Sequence, residues 1–329
     1  MRRGVRVVAA CAGAAAAALA LVGCNAGAAA SDRVSVVASF YPLQFVAEQV
    51  GGAAVDAGNL TPAGAEPHDL ELTTRDVLLL EEADVVVTLS GFQPSLDDAL
   101  AEIDGPLVVD TAAEEDPELA EHDHGAGGNS DDEHGGDHHG PSEDSDEHGH
   151  SHDDHDHLGT DPHFWLDPTR LAEVAGQVAE ALSSVDPAHA RTYASNAEQL
   201  RTELTDLDHE YAEALSTCAQ HVIVVSHEAF GYLAARYGFE QVGVAGLDPE
   251  NEPSPARLQQ IAQVIRAEHV TTIFTETLVS PDVAEALADD LGITVQRLDP
   301  LESLTDPDAD YFSVMRENLS ALTAARECS

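Results

Sequence analysis

The chain has 329 residues, with 61 Asp and Glu against 14 basic residues, none of them Lys, and a formal net charge of -47. So acidic a surface repels nucleic-acid phosphates and anionic headgroups and weakly concentrates cations, which excludes nucleic acid as a partner. About 306 residues remain once a leader of 23 is set aside, enough for two α/β cores.

That leader is read from Met1-Arg-Arg-Gly-Val-Arg6 followed by an apolar, alanine-rich run over 7–22. A positive start, a short apolar stretch and small residues at its end make a secretory signal over 1–23. The end, Leu21-Val-Gly-Cys24, resembles a bacterial lipoprotein cleavage box. Cys24 then becomes the lipidated first residue, residues 24–32 a tether, and the protein an extracytoplasmic one anchored to the outer face of the cell membrane. Of the other cysteines, Cys11 leaves with the signal, and Cys218 and Cys328 remain in an oxidising compartment. A disulfide between them is the natural pairing, with free thiols or thiolate metal ligands as the alternatives.

From residue 33 the elements alternate. A buried strand over 34–39 leads to a helix over 41–50 that stops at Gly51-Gly52, and a further strand ends near Thr61. Helix 73–82, strand 84–89, helix 94–102 and strand 107–109 follow. Strands alternating with helices predict a parallel sheet with helices on both faces.

The pattern is then interrupted. Residues 121–157 hold ten histidines, thirteen acidic residues and one apolar residue, Ala126. Such a stretch cannot bury enough apolar surface to offset the entropy of ordering, so a mobile loop is expected. Imidazole suits zinc, copper, nickel and iron. His122, His124, His134, His138, His139, His148, His150, His152, His155 and His157 are therefore read as an auxiliary metal collector or sensor.

Pro168 opens a helix over 169–182, and from 187 to about 216 apolar residues from Ala190 to Leu215 keep a helical period without a break. Thirty residues would span roughly 45 Å, long enough for a rigid spine joining two lobes. The alternation then resumes: strand 221–225, helix 228–237, strand 241–244, helix 255–268, strand 271–274, helix 281–291, strand 294–297 and helix 311–325. The expected architecture is α/β, with a first lobe over 33–186, a connecting helix over 187–217 and a second lobe over 218–329. A ligand cleft between the lobes is the default, since ligands favour domain interfaces and the carboxyl ends of parallel strands.

Seven histidines lie outside the collector loop. His189, His209, His221 and His269 fall at helix or strand boundaries or on charged helix faces, and read as ordinary surface residues. His68, in Gly64-Ala-Glu-Pro-His-Asp69, His163, in Asp161-Pro-His-Phe-Trp-Leu-Asp-Pro168, and His227, directly after Ile223-Val-Val-Ser226, each fall where a lobe presents residues to a cleft. Three imidazoles from separate segments form a plausible set for a tetrahedral metal. Spacing alone leaves three unrelated loop histidines as the other reading, and three imidazoles with an open position would also describe a zinc hydrolase, for which Glu228 could be offered as base.

These three strings, in this order, with a long connecting helix and a His/Asp-rich loop before the second, strongly resemble the solute-binding proteins of zinc and manganese ABC transporters, the ZnuA-like group. The resemblance covers essentially the whole mature chain. It implies that the chain is not an enzyme and that it hands a metal to a membrane permease with its cytoplasmic ATPase, as a monomer. It carries the ligand role to His68, His163 and His227, with a fourth ligand from the loop after the last strand. Asp299, in Arg297-Leu-Asp-Pro-Leu301, occupies that place; water or Glu66 is the alternative, and Glu276 is assigned a supporting role. Manganese-binding relatives commonly carry Glu at the third position, where this chain has His227. Three imidazoles with at most one carboxylate favour Zn²⁺ over manganese. A manganese-specific protein of the same group and a surface zinc buffer or adhesion protein are the alternatives.

The loop and the three dispersed histidines are separable. Alanine at His68, His163 or His227 is expected to weaken zinc binding far more than deletion of residues 121–157, as read by competition titration against a chromophoric chelator. Tight binding lost on loop deletion and kept in the triple alanine variant would transfer the main site to the loop.

Overall fold

The computed structural model describes residues 33–115 and 160–329. The signal, Cys24, the tether and the ten auxiliary histidines lie outside them. Eight strands and nine α-helices are found among the described residues. In chain order they are β1 (Val34–Ala38), α1 (Tyr41–Gly51), β2 (Val55–Asn59), α2 (Thr74–Glu82), β3 (Val85–Thr88), α3 (Pro94–Glu102), β4 (Leu107–Asp110), α4 (Pro168–Val185) and α5 (Ala190–Leu215). The second half runs β5 (Val222–Val225), α6 (Gly231–Tyr237), β6 (Glu240–Gly243), α7 (Pro255–Ala267), β7 (Thr272–Thr275), α8 (Asp282–Leu291), β8 (Thr294–Arg297) and α9 (Tyr311–Ala325).

The strands form two four-stranded parallel sheets with the same order, β2-β1-β3-β4 and β6-β5-β7-β8. Parallel strands need crossover connections, and the helices supplying them cover both faces, so the central strands β1, β3, β5 and β7 are largely apolar and buried, while the edge strands β2, β6 and β8 carry polar residues. Alternation decides which face each residue serves. On β1, Val36 and Ala38 join the inner core while Val37 packs outward with Leu80 and Leu96. On β5, Ile223 and Val225 face the same inner core, while Val222 and Val224 pack outward with Ile261 and Ile265.

One inner core therefore serves both sheets, and α5 runs through it. Tyr193, Ala197, Leu200, Leu204, Leu207, Tyr211 and Leu215 are buried at helical spacing along its inner stripe. Its 26 residues span about 39 Å, somewhat less than the sequence pattern allows, because Pro187–His189 form a turn before it. Asp208, buried on this helix, accepts a two-pronged pair from Arg236 of α6 at 2.8 and 2.9 Å and the Tyr237 hydroxyl at 3.0 Å. Tyr211 donates to the carbonyl of Met315 on α9.

One local departure has an identifiable cause. Helix α6 starts three residues later than expected, because the backbone N–H groups of Glu228 and Phe230 are spent on Gly246 O and Gln241 Oε1. That turn leaves His227 facing inward. Cys218 and Cys328 are joined as a disulfide, tying the residues after α5 to those after α9 across a separation of 110 residues. Replacing both cysteines with Ser is expected to lower the unfolding free energy by about 2–5 kcal/mol, through the larger entropy of the open unfolded chain. Urea unfolding curves of the two proteins measure this, and coincident midpoints would contradict it.

Candidate metal centre

The cleft receives side chains from both halves. His68 sits in the loop after β2, whose path is set by Gln93: its amide donates to Thr61 Oγ1 at 3.1 Å and to Pro67 O at 3.0 Å. The His68 ring meets Phe92 edge-on at 4.6 Å between centroids. His163 precedes a short 3-10 turn (Phe164–Leu166) and is completely buried. Asp161 Oδ1 accepts from both its backbone N–H (2.9 Å) and its Nδ1 (2.7 Å), fixing main chain and ring together. His227 follows β5, and its Nδ1 lies 2.6 Å from Glu276 Oε1, a residue just beyond β7. Ser226 also donates to that oxygen.

With Nδ1 of His163 and His227 each held by a carboxylate, both rings direct Nε2 into the cleft. The two Nε2 atoms lie 3.4 Å apart. The fourth group is Glu302, wholly buried, whose Oε1 lies 2.9 Å from His163 Nε2, 3.4 Å from His227 Nε2 and 3.5 Å from His68 Nε2. Ligand atoms from His68, His163, His227 and Glu302 all fall within 4.8 Å of one another. Three nitrogens and one oxygen facing a common centre repel unless a cation or protons occupy it. His68 Nε2 and Glu302 Oε2 are buried and lack a hydrogen-bond partner, as expected of atoms set for a metal.

The electrostatics agree. Burial alone would push His163 and His227 down, but Asp161 with Glu302, and Glu276 with Glu302, outweigh it and hold both imidazoles above their usual value. Burial would likewise push Glu302 up; the imidazoles of His163, His227 and His68 around it outweigh that and hold it well below the usual carboxylate range. Glu302 is thus the centre's fixed negative charge. Glu66, nearby, goes the other way: burial and then the charge of Glu302 push it up to about 8.

The sequence-based assignment of Asp299 requires correction. Its Oδ1 accepts the backbone N–H of Leu301 at 2.9 Å, and its Oδ2 takes Arg297 at 2.5 Å and Thr277 at 3.3 Å. Asn318 fixes its main chain from both sides, accepting from its N–H and donating to its carbonyl. A carboxylate so occupied shapes the loop and does not enter the cleft. The chain then turns at Leu301, with φ at 62°, and delivers the next residue, Glu302, three after Asp299. Sequence reasoning found the right loop and the wrong carboxylate; which of Asp299 and Glu302 points inward depends on that left-handed turn. Glu66 is outside the four-group set, its Oε1 lying 4.0 Å from His68 Nε2. Glu276 supports His227 as expected. His189, His209, His221 and His269 are exposed. Glu228 is engaged by Arg257 at 3.0 Å and by the Gly243 N–H, away from the role of a base.

A family model described as ZnuA, zinc-uptake complex component A, periplasmic, matches residues 36–325. The chain belongs to the ZnuA family. Among relatives of this ZnuA-family chain, the zinc-binding lipoprotein AdcA of Streptococcus pneumoniae is 34% identical over 320 residues, 93% of this chain and 58% of AdcA. The high-affinity zinc uptake system protein ZnuA of Bacillus subtilis is 31% identical, covering 88% of this chain and 87% of that protein. The chain thus spans a little over half of AdcA and most of the Bacillus protein. Two solved structures share the fold. The Zn(II)-bound ZnuA-like domain of S. pneumoniae AdcA has a TM-score of 0.68 at 28% identity, covering 90% of this chain and 99% of that one. The laminin-binding protein Lmb of Streptococcus agalactiae, described as bifunctional with adhesin and metal-transporting activity, has a TM-score of 0.72 at 29% identity, covering 89% and 99%.

If Asp161 and Glu276 orient the two buried imidazoles, Asp161→Asn and Glu276→Gln should each weaken metal binding by about 10–100-fold. Glu302→Gln should weaken it more than Asp299→Asn, which keeps an acceptor for Leu301. Competition titrations of the four variants decide the order, and equal losses at positions 299 and 302 would contradict the assignment.

Proposed function

We propose that this ZnuA-family chain captures Zn²⁺ outside the cytoplasm and delivers it, chemically unchanged, to an ABC-transporter permease driven by a cytoplasmic ATPase, with Cys24 as lipid anchor. The observation that carries the reading is the convergence of three imidazole Nε2 atoms and one carboxylate from four separate segments. Zinc takes nitrogen-rich four-coordinate sites, whereas manganese prefers more oxygen ligands and higher coordination. The zinc named in several relatives supports the same choice.

Transport is favoured over hydrolysis by the closure of the set. Four protein ligands leave no position for a reactive water, and Glu228 is tied to Arg257. The histidines of 121–157 serve as a weak, multivalent collector, in keeping with their composition.

Two measurements test this. Zinc is expected to bind with one tight equivalent and to resist displacement by excess manganese; preferential manganese retention would contradict the reading. Imidazoles must be neutral to coordinate, and in the metal-free protein carboxylates hold His163 and His227 above their usual value. Protons therefore compete below those raised values, and affinity should climb as pH rises from 5 past 6.5. An affinity flat from pH 5 to 8 would sink an imidazole-dominated site.

A further inference from the structure

His68 and Glu302 approach the metal centre from opposite halves of the chain, so whatever ties their two loops together governs how the centre opens. One side chain does so directly. Ser303, 5% exposed, accepts a hydrogen bond from the Gly64 N–H at 2.8 Å, and its hydroxyl donates to Pro62 O at 3.4 Å. Gly64 has φ of +77°, which glycine adopts without strain, and this presents its N–H to the serine.

Both ends of this bridge are firmly based. The 61–68 loop is held to the first half by Gln93 and by Thr61, whose hydroxyl donates to Ser39 O at 2.8 Å. On the other side, Trp165 Nε1 donates to Pro300 O at 2.8 Å, and Asn318 clamps Asp299. Between those anchors Leu301 occupies the left-handed region, a conformation that persists only where the surroundings over-determine it. His68 is the one member of the four-group set with an accessible side chain, at 15%, against 0% for the other three, so the centre meets solvent on the His68 side. The Ser303 bridge joins the His68 loop to the residue next to Glu302 on that side.

We propose that Ser303 is a latch: by linking the His68 loop to the Glu302 loop it sets the rate at which the metal leaves, without touching the metal. It is a positioning residue acting through Glu302 and His68, and the inference rests on the reading of these residues as the zinc site. Loss of the hydroxyl frees the two loops to separate while leaving all four ligands in place. The effect therefore falls on dissociation and not on capture.

The test is stopped-flow zinc release from the full mature protein into excess chromophoric chelator, alongside the association rate and the melting temperature of the zinc-free form. Ser303→Ala should speed release about tenfold, the cost of one or two buried hydrogen bonds, with association within twofold of the parent and the zinc-free form melting only a few degrees lower in one cooperative step. Ser303→Thr, which keeps the hydroxyl, should return release to near the parent rate. Release within twofold of the parent in Ser303→Ala overturns the latch, as does equal acceleration in both variants, or a matching fall in association and melting temperature. A parent protein that takes up no stoichiometric zinc would instead remove the functional reading beneath it.

Discussion

A carboxylate with no exposed surface, Glu302, is the constraint around which the cleft is built. An ionised group removed from water is costly unless it is paired and hydrogen-bonded. Here the compensation comes from three imidazoles delivered by both halves of the chain. In the metal-free protein His163 and His227, both held above their usual value, answer the charge of Glu302; with zinc bound, the ion does so. The same geometry thus accommodates an empty and a loaded site, and exchange between them is an exchange of protons for a dication.

The fold exists to hold those four side chains at a common point. Parallel strands end in loops on one edge, and two sheets of the same order give two such edges facing one cleft. The spine α5 and the shared inner core fix the two halves to one another: Asn196 donates to Val50 O of the first half at 2.9 Å, while Asp208 with Arg236 and Tyr237, and Tyr211 with α9, tie the spine to the second. The supporting carboxylates Asp161 and Glu276 then fix ring orientation, so that both Nδ1 positions are spent and both Nε2 positions are free for the metal. The centre is preorganised by layers: core, then loop anchors, then carboxylate partners, then ligands.

Most of this was legible in the sequence, and the exceptions are physical. The strand–helix alternation gave both sheets, because fully buried parallel strands read as short apolar runs between helical periods. The buried stripe from Tyr193 to Leu215 on the spine was visible as an unbroken 3.6-residue period. His68, His163 and His227 were recoverable because each follows a strand or a turn-rich string pointing at the cleft. Glu302 was not, since Asp299 and Glu302 share a loop and only the positive φ at Leu301, with Asn318 holding Asp299, decides which carboxylate turns inward. The late start of α6 escaped for a similar reason: the Glu228 and Phe230 N–H groups bond to residues distant in sequence. Local pattern could not register either constraint.

The central claim is that zinc is held by His68, His163, His227 and Glu302, and X-ray absorption at the zinc edge tests it most directly. Protein loaded with one equivalent should give three imidazole nitrogens at about 2.0–2.1 Å and one oxygen at about 2.0–2.2 Å. The same first shell should survive deletion of residues 121–157. A spectrum dominated by four or more imidazoles, or one that collapses when that segment is removed, would contradict the account.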